Sequence, residues 1–164
     1  MLQRKICMLG AFSVGKTSLV RRYVSGVYSD AYLTTVGVKI DKKSLDLGGR
    51  MLDLILWDLA GEDEVSTIRM SYLRGSAGYL LVADGTRPVT LEVARSLQQR
   101  VEAELGRLPF VVLLNKRDLV DDWRLAEDEV AGLADGGWSI RMTSAKSGEG
   151  VEDAFRELAG RVMH

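Results

Sequence analysis

The sequence predicts a three-layer α/β fold built on a mostly parallel sheet, and three observations predict it. First, the run Gly10-Ala11-Phe12-Ser13-Val14-Gly15-Lys16-Thr17-Ser18 fits GxxxxGK[ST], the phosphate-cradling P-loop that joins a strand to a helix. Second, strand-sized apolar runs alternate with stretches of helical periodicity along the rest of the chain. Third, polar motifs sit just behind the ends of those strands, where an open α/β sheet places its ligand.

At 164 residues the chain has the length of about one domain, and residues 1–164 are read as a single unit. Its 46% hydrophobic and 27% charged residues are those of an ordinary soluble globule, and a net charge of -1 gives no electrostatic footprint for nucleic acid. The lone cysteine, Cys7, excludes an internal disulfide and is expected to be a buried small hydrophobe; this suits a reducing, cytoplasmic setting. Neither a secretory signal nor a membrane-spanning run is expected.

Taken in order, Ile6-Cys7-Met8-Leu9 reads as a buried strand leading into the glycine loop, and Leu19, Val20, Tyr23 and Val24 follow at helical spacing. Gly10 and Gly15 lack Cβ atoms, so the backbone curls tightly enough to aim several N–H groups at one anion beside the positive helix end. Lys16 neutralises the β- and γ-phosphates of a nucleoside triphosphate, and Thr17 offers a hydroxyl to Mg2+. Residues 26–37 read as a loop holding Tyr28, Tyr32, Thr34 and Thr35. Residues 38–47 and 51–57 read as antiparallel strands around a Gly48-Gly49 hairpin turn. Lys39, Lys42 and Lys43 mark the first of them as a solvated sheet edge, protected by charge from unwanted pairing.

Residues 58–75 are read as irregular, with a short helix from about Val65. Residues 77–83 form an apolar strand, and Leu91, Ala94, Leu97, Val101 and Leu105 line one face of a helix after Pro88. The alternation repeats: strand 110–114, a helix marked by Ala126, Val130 and Leu133, and a shorter strand 138–142. Val151, Ala154, Phe155, Leu158, Ala159 and Val162 then share one face of a closing helix.

Two further motifs name the nucleotide. Asp58-Leu59-Ala60-Gly61 is DxxG at a strand end: Asp58 is placed to hold Mg2+ through a water, and the Gly61 N–H to approach the γ-phosphate with no side chain between. Asn115-Lys116-Arg117-Asp118 is NKxD. A carboxylate at its fourth place accepts from N1–H and N2–H2 of guanine, a pattern adenine lacks, so Asp118 selects guanine and an ATP-using P-loop kinase is disfavoured. The Lys116 stem is expected along one face of the base, and Asn115 is expected to tie loops together. Thr143-Ser144-Ala145-Lys146 follows the last strand and offers backbone N–H groups to guanine O6.

These runs together resemble the Ras-like small GTPases, with the Rab branch nearest. The resemblance covers essentially the whole chain and extends to Tyr28-Ser29-Asp30-Ala31-Tyr32-Leu33-Thr34-Thr35-Val36-Gly37-Val38, Trp57-Asp58-Leu59-Ala60-Gly61 and Ser71-Tyr72-Leu73-Arg74-Gly75. It implies a G domain with a six-stranded sheet, one antiparallel edge strand and five helices. It also implies a molecular switch that binds Mg2+ with GTP or GDP and hydrolyses GTP slowly, signalling to protein effectors through two loops. Exchange and activating proteins would act on the same loops of a monomer. The nucleotide contacts it implies are Ser13, Val14, Gly15, Lys16, Thr17, Ser18, Tyr28, Thr35, Gly61, Asn115, Lys116, Asp118, Ser144, Ala145 and Lys146. Thr17, Thr35 and Asp58 would face the metal, and Lys16, Thr35, Gly61 and Glu62 would surround the reacting phosphate.

The chain departs from the family where hydrolysis is concerned. Glu62 follows the DxxG glycine where family members carry a water-orienting glutamine, and Asp63 and Glu64 follow it. Phe12 stands at a loop position that a small residue usually keeps open, and Ala11 replaces a common aspartate. No arginine lies between Tyr23 and Gly49, so the first switch supplies no finger in cis; Arg69 and Arg74 are more distant. Leu2 in place of glycine and the ending Arg161-Val162-Met163-His164 lead to the expectation of no encoded lipid anchor. The alternative reading is an adaptor that holds the nucleotide with its turnover disabled.

Overall fold

The fold is seen in a computed structural model that describes residues 2–26, 38–59 and 70–163. Its order is β1 (Leu2–Gly10), α1 (Lys16–Ser25), β2 (Val38–Leu47), β3 (Arg50–Leu59), β4 (Gly78–Asp84), α2 (Val89–Leu105), β5 (Phe110–Asn115), α3 (Glu127–Asp135), β6 (Ile140–Met142) and α4 (Val151–Val162). Single 3-10 turns lie at Met70–Leu73 and Val120–Asp122. The six strands form one sheet in the order β2-β3-β1-β4-β5-β6. Only β2 runs antiparallel to its neighbour, and it occupies the edge, as its lysines predict. Lys42 reaches toward buried Asp53 of β3 at 3.8 Å, and Lys43 stands 5.3 Å from the Tyr23 ring centroid. The edge charge is thus partly neutralised by local partners.

Two apolar layers cover the sheet. On one face, Leu19 and Val20 of α1 and Ala154, Phe155 and Leu158 of α4 pack against Ile6, Met8, Leu54, Leu56, Leu80 and Val82. Phe155 stacks on Tyr23 with ring centroids 4.0 Å apart, which joins α1 to α4. On the other face, Leu91, Ala94, Leu97 and Val101 of α2 cover Cys7, Leu9, Leu81 and Val112. The alternation of strand side chains explains the split, since neighbours along one strand point to opposite faces.

Of the five helices expected, four lie among the described residues, and the one expected from about Val65 falls outside them. The first strand also begins earlier than its apolar run, at Leu2. Arg4 and Lys5 are accommodated because their heads find partners at the sheet margin. Arg4 Nε donates to the Val162 carbonyl at 2.8 Å, and Lys5 Nζ sits 3.6 Å from the Trp57 ring centroid. The last strand is shorter than predicted, three residues, because Trp138 and Ser139 belong to the connection from α3. Among the described residues no helix is long and apolar enough to cross a membrane.

Candidate functional site

Parallel strands deliver their carboxyl ends to one edge of the sheet, and there Gly10, Asp58, Asp84 and Asn115 end or nearly end β1, β3, β4 and β5. The loop after β1 is locked by backbone geometry that its sequence permits. Gly15 caps α1 at φ 103°, a value that favours glycine, and a Cβ there would collide with Asn115 Nδ2. Ser13 adopts φ 61°, so the loop reverses sharply between Phe12 and Val14. The Lys16 side chain is folded back inside the loop, donating from Nζ to the carbonyls of Gly10 (3.1 Å) and Ala11 (3.2 Å). Its ammonium therefore stands at the loop's centre, where an anion would meet it.

Asn115 does what the sequence expects of it. Its Nδ2 donates to the Val14 carbonyl at 3.0 Å, its Oδ1 accepts from Thr143 Oγ1 at 3.2 Å, and it is 2% exposed. One side chain thus fastens the P-loop to β5 and to the loop after β6. Lys116 adds a second tie: its Nζ donates to the Ser13 carbonyl at 3.1 Å while pairing with Asp84 Oδ2 at 2.8 Å. Lys116 has φ 70°, which turns the chain so that its stem spans from β5 to the loop. Asp118 is exposed, and Ser144 Oγ donates to its Oδ1 at 2.7 Å, which orients the carboxylate. Ala145 is buried and Lys146 exposed beside it.

At the opposite end, Thr17 Oγ1 donates to Asp58 Oδ2 at 2.5 Å. Asp58 is 1% exposed. A buried carboxylate against a hydroxyl at a helix start is a hard-oxygen donor pair of the kind Mg2+ selects. Among the described residues no group of three or more His, Cys, Asp or Glu is built to hold a metal by itself. Mg2+ takes one or two protein oxygens and leaves its other positions to phosphate oxygens and water, and Thr17 with Asp58 would supply those oxygens here. The residues present fit the ion.

Ser13, Val14, Gly15, Lys16, Thr17, Ser18, Asp58, Asn115, Lys116, Asp118, Ser144, Ala145 and Lys146 therefore gather around one edge of the sheet. Tyr28, Thr35, Gly61 and Glu62 lie outside the described residues. Sequence reasoning missed Asp84, fully buried at the end of β4, where it pairs with Lys116 and accepts from the Thr86 N–H (2.9 Å) and hydroxyl (2.6 Å). The signal was available: an apolar run ending on aspartate is the pattern that singled out Asp58.

Comparison with known proteins agrees with this geometry. The sequence profile described as Ras family matches residues 5–164. Ras-related protein Rab-8B of Homo sapiens is 30% identical over 164 residues, covering 97% of this chain and 78% of its own length. Ras-related protein RABD1 of Arabidopsis thaliana is 31% identical over 160 residues, covering 96% and 78%. GTP-binding protein yptV2 of Volvox carteri is 31% identical over 162 residues, covering 97% and 75%.

Proposed function

Because the chain belongs to the Ras family, in its Rab-like branch, and is thus a GTP-binding small GTPase, we propose that it is a slowly hydrolysing, Mg2+-dependent switch read by effector proteins. The observation that carries this reading is the joining of base and phosphate loops. Asn115 and Lys116 grip successive P-loop carbonyls, while Asp118, two residues on, is oriented by Ser144. A guanine seated on Asp118 would thereby place its phosphates over Gly15, Lys16 and Thr17.

In this reading each residue has a defined task. Asp118 accepts from the N1–H and N2–H2 edge of guanine. Lys16 exchanges the Gly10 and Ala11 carbonyls for phosphate oxygens, a trade that favours phosphate because a charge-assisted bond to an anion is stronger than one to a neutral carbonyl. Thr17 and Asp58, with Thr35, would hold Mg2+, which when bound would neutralise charge on the β- and γ-phosphates. Gly61 supplies an N–H to the γ-phosphate. Hydrolysis joins a water oxygen to the γ-phosphorus as its bond to the β–γ bridging oxygen breaks, and the water's proton leaves with the inorganic phosphate. Loss of the γ-phosphate removes the ligand that Thr35 and Gly61 would share, which is how residues 28–37 and 58–72 would report nucleotide state to effectors, exchange factors and activating proteins. The buried thiol of Cys7 suits a cytoplasmic setting, with the protein acting as a monomer.

Phe12 favours a second reading for turnover. Its side chain is 42% exposed in the P-loop, bulk at the position from which a water or a partner's arginine would approach. Together with Glu62 this supports an adaptor that holds GTP with little hydrolysis.

The test of the main reading is base selection. Wild type titrated with GTP, ATP and XTP should prefer GTP, and Asp118→Asn should weaken GTP and favour XTP, since an amide donor replaces an acceptor. Equal affinity of the wild type for ATP and GTP, or an unchanged preference in the variant, overturns it.

A further inference from the structure

We propose that Arg87 is a positioning residue of the phosphate loop, which holds the Phe12 carbonyl from behind and so aims the next N–H, that of Ser13, at the nucleotide's phosphates. The proposal rests on the nucleotide-binding reading above. Its starting observation is an arginine far along the chain whose Nη1 donates to Phe12 O at 3.1 Å.

The bond completes a series. Gly10 O and Ala11 O are held by Lys16, Ser13 O by Lys116 and Val14 O by Asn115. With Phe12 O held by Arg87, five consecutive carbonyls of the loop are engaged by side chains. In a trans peptide the C=O and the following N–H point in opposite directions across one plane, and no peptide bond among the described residues is cis. Fixing the carbonyls of residues 12, 13 and 14 from outside therefore fixes the N–H groups of Ser13, Val14 and Gly15. A loop whose donors are set before the anion arrives does not spend binding energy on ordering them.

Arg87 is itself set by a rigid support. The Arg87 N–H donates to Asp84 O at 2.9 Å in a tight turn, and Thr86 closes the same turn on Asp84 Oδ1. Gly85 is locked within it: its N–H donates to Asn115 O at 3.0 Å, and a Cβ there would run into the Trp123 ring. Pro88 follows at φ -55° as the N-cap of α2, which restricts the backbone of Arg87 as well. The Asp84 carboxylate, fully buried, lies 4.0 Å from Arg87 Nη1 and 2.8 Å from Lys116 Nζ. One buried anion thus anchors the two cations that hold Phe12 O and Ser13 O.

An arginine beside the P-loop invites a different assignment, that of a finger acting on the γ-phosphate in cis. The bond to Phe12 O argues against it. Whatever holds that carbonyl lies behind the peptide whose N–H faces the ligand, so Arg87 supports the loop and does not touch the phosphates.

The test uses the whole chain and fluorescently labelled GDP. Arg87→Ala and Arg87→Gln should release GDP about tenfold faster than wild type, the effect expected for one half-exposed, charge-assisted hydrogen bond. Arg87→Lys should recover most of the loss. GMP, which lacks the β-phosphate the loop cradles, should bind all three variants as it binds wild type. The amide resonance of Ser13 in the GDP complex should shift in the Ala variant and return toward its wild-type position in Lys. Arg107→Ala, a solvent-exposed arginine elsewhere, serves as the control and should release GDP at the wild-type rate. Wild-type GDP release from Arg87→Ala, or equal losses for GMP and GDP, overturns the proposal. A wild type that binds no GDP would instead overturn the reading on which the proposal rests.

Discussion

The residue on which most of the site depends is Asn115, and its removal can be worked out from its surroundings. Asn115→Ala deletes the donor to Val14 O and the acceptor of Thr143 Oγ1. Val14 and Thr143 are both fully buried, so water does not replace what is lost. An orphaned buried carbonyl costs about 1–3 kcal/mol, and the hydroxyl about 1 kcal/mol because it can rotate to another acceptor. The sum is about 2–4 kcal/mol, equivalent to roughly 30- to 1,000-fold if all of it fell on nucleotide binding. Two measurements divide it: the GDP dissociation constant from association and dissociation rates, and urea unfolding in saturating GDP. Asn115→Asp separates the two bonds, since it keeps the acceptor for Thr143 but turns an acceptor oxygen toward Val14 O. The Asp variant should bind GDP no better than Ala, and Thr143→Val alone should cost about 1 kcal/mol. An Asp variant that binds GDP as well as wild type would refute the donor role assigned to the Nδ2 atom.

Two other perturbations follow from charge. Burial alone would raise the Glu157 carboxyl, but hydrogen bonds from Ser139 and Arg141 and the charges of Arg161 and Arg141 outweigh it and hold it below its ordinary 4.5. A depressed folded-state value means a stabilisation fully present above 4.5 and lost as pH falls through that lower value, so Glu157→Gln should flatten the acid limb of Tm against pH, measured by thermal melts in excess GDP. For turnover, an ionised Glu62 in the proposed role would only accept hydrogen bonds and would set negative charge beside the γ-phosphate, so Glu62→Gln should match or exceed wild type in single-turnover hydrolysis and Glu62→Ala should lose little. A large loss in both would make Glu62 a general base.

The parts of the fold written in local pattern were legible in the sequence. Apolar runs located five of the strands, helical spacing located four helices, and the glycine turn with the lysines of β2 located that strand as the antiparallel edge. Boundaries failed where charged residues belong to strands, as at Arg4 and Lys5, because their partners are Val162 O and the Trp57 ring, 158 and 52 positions away. Motif spacing likewise identified Asn115 as a tie between loops. It did not show that Lys116 would be divided between Ser13 O and Asp84, or that Arg87 reaches Phe12. Such contacts depend on which strand ends lie side by side: the order β1-β4-β5 puts Asp84 between the P-loop and NKxD, and no local pattern encodes that order.

That order has a consequence for how selection and affinity are linked. The side chains that prepare the guanine site also brace the phosphate site, since Asn115 and Lys116 belong to the motif that ends at Asp118 yet spend their hydrogen bonds on Val14 and Ser13. The bracing also runs the other way. α1 begins at Lys16 in the P-loop, and Arg22 in its last turn donates from Nη1 to Lys146 O at 3.4 Å and from Nη2 to Ser147 O at 3.1 Å, in the loop that follows Ser144 and Ala145. α1 is thus attached to nucleotide loops at both ends. A substitution that loosens the base loop should therefore raise GDP release by loosening the phosphate cradle, even where the base edge itself is untouched. On the proposed reading, base recognition and phosphate affinity would be two outputs of one braced frame and would respond together to changes in the strand-end contacts.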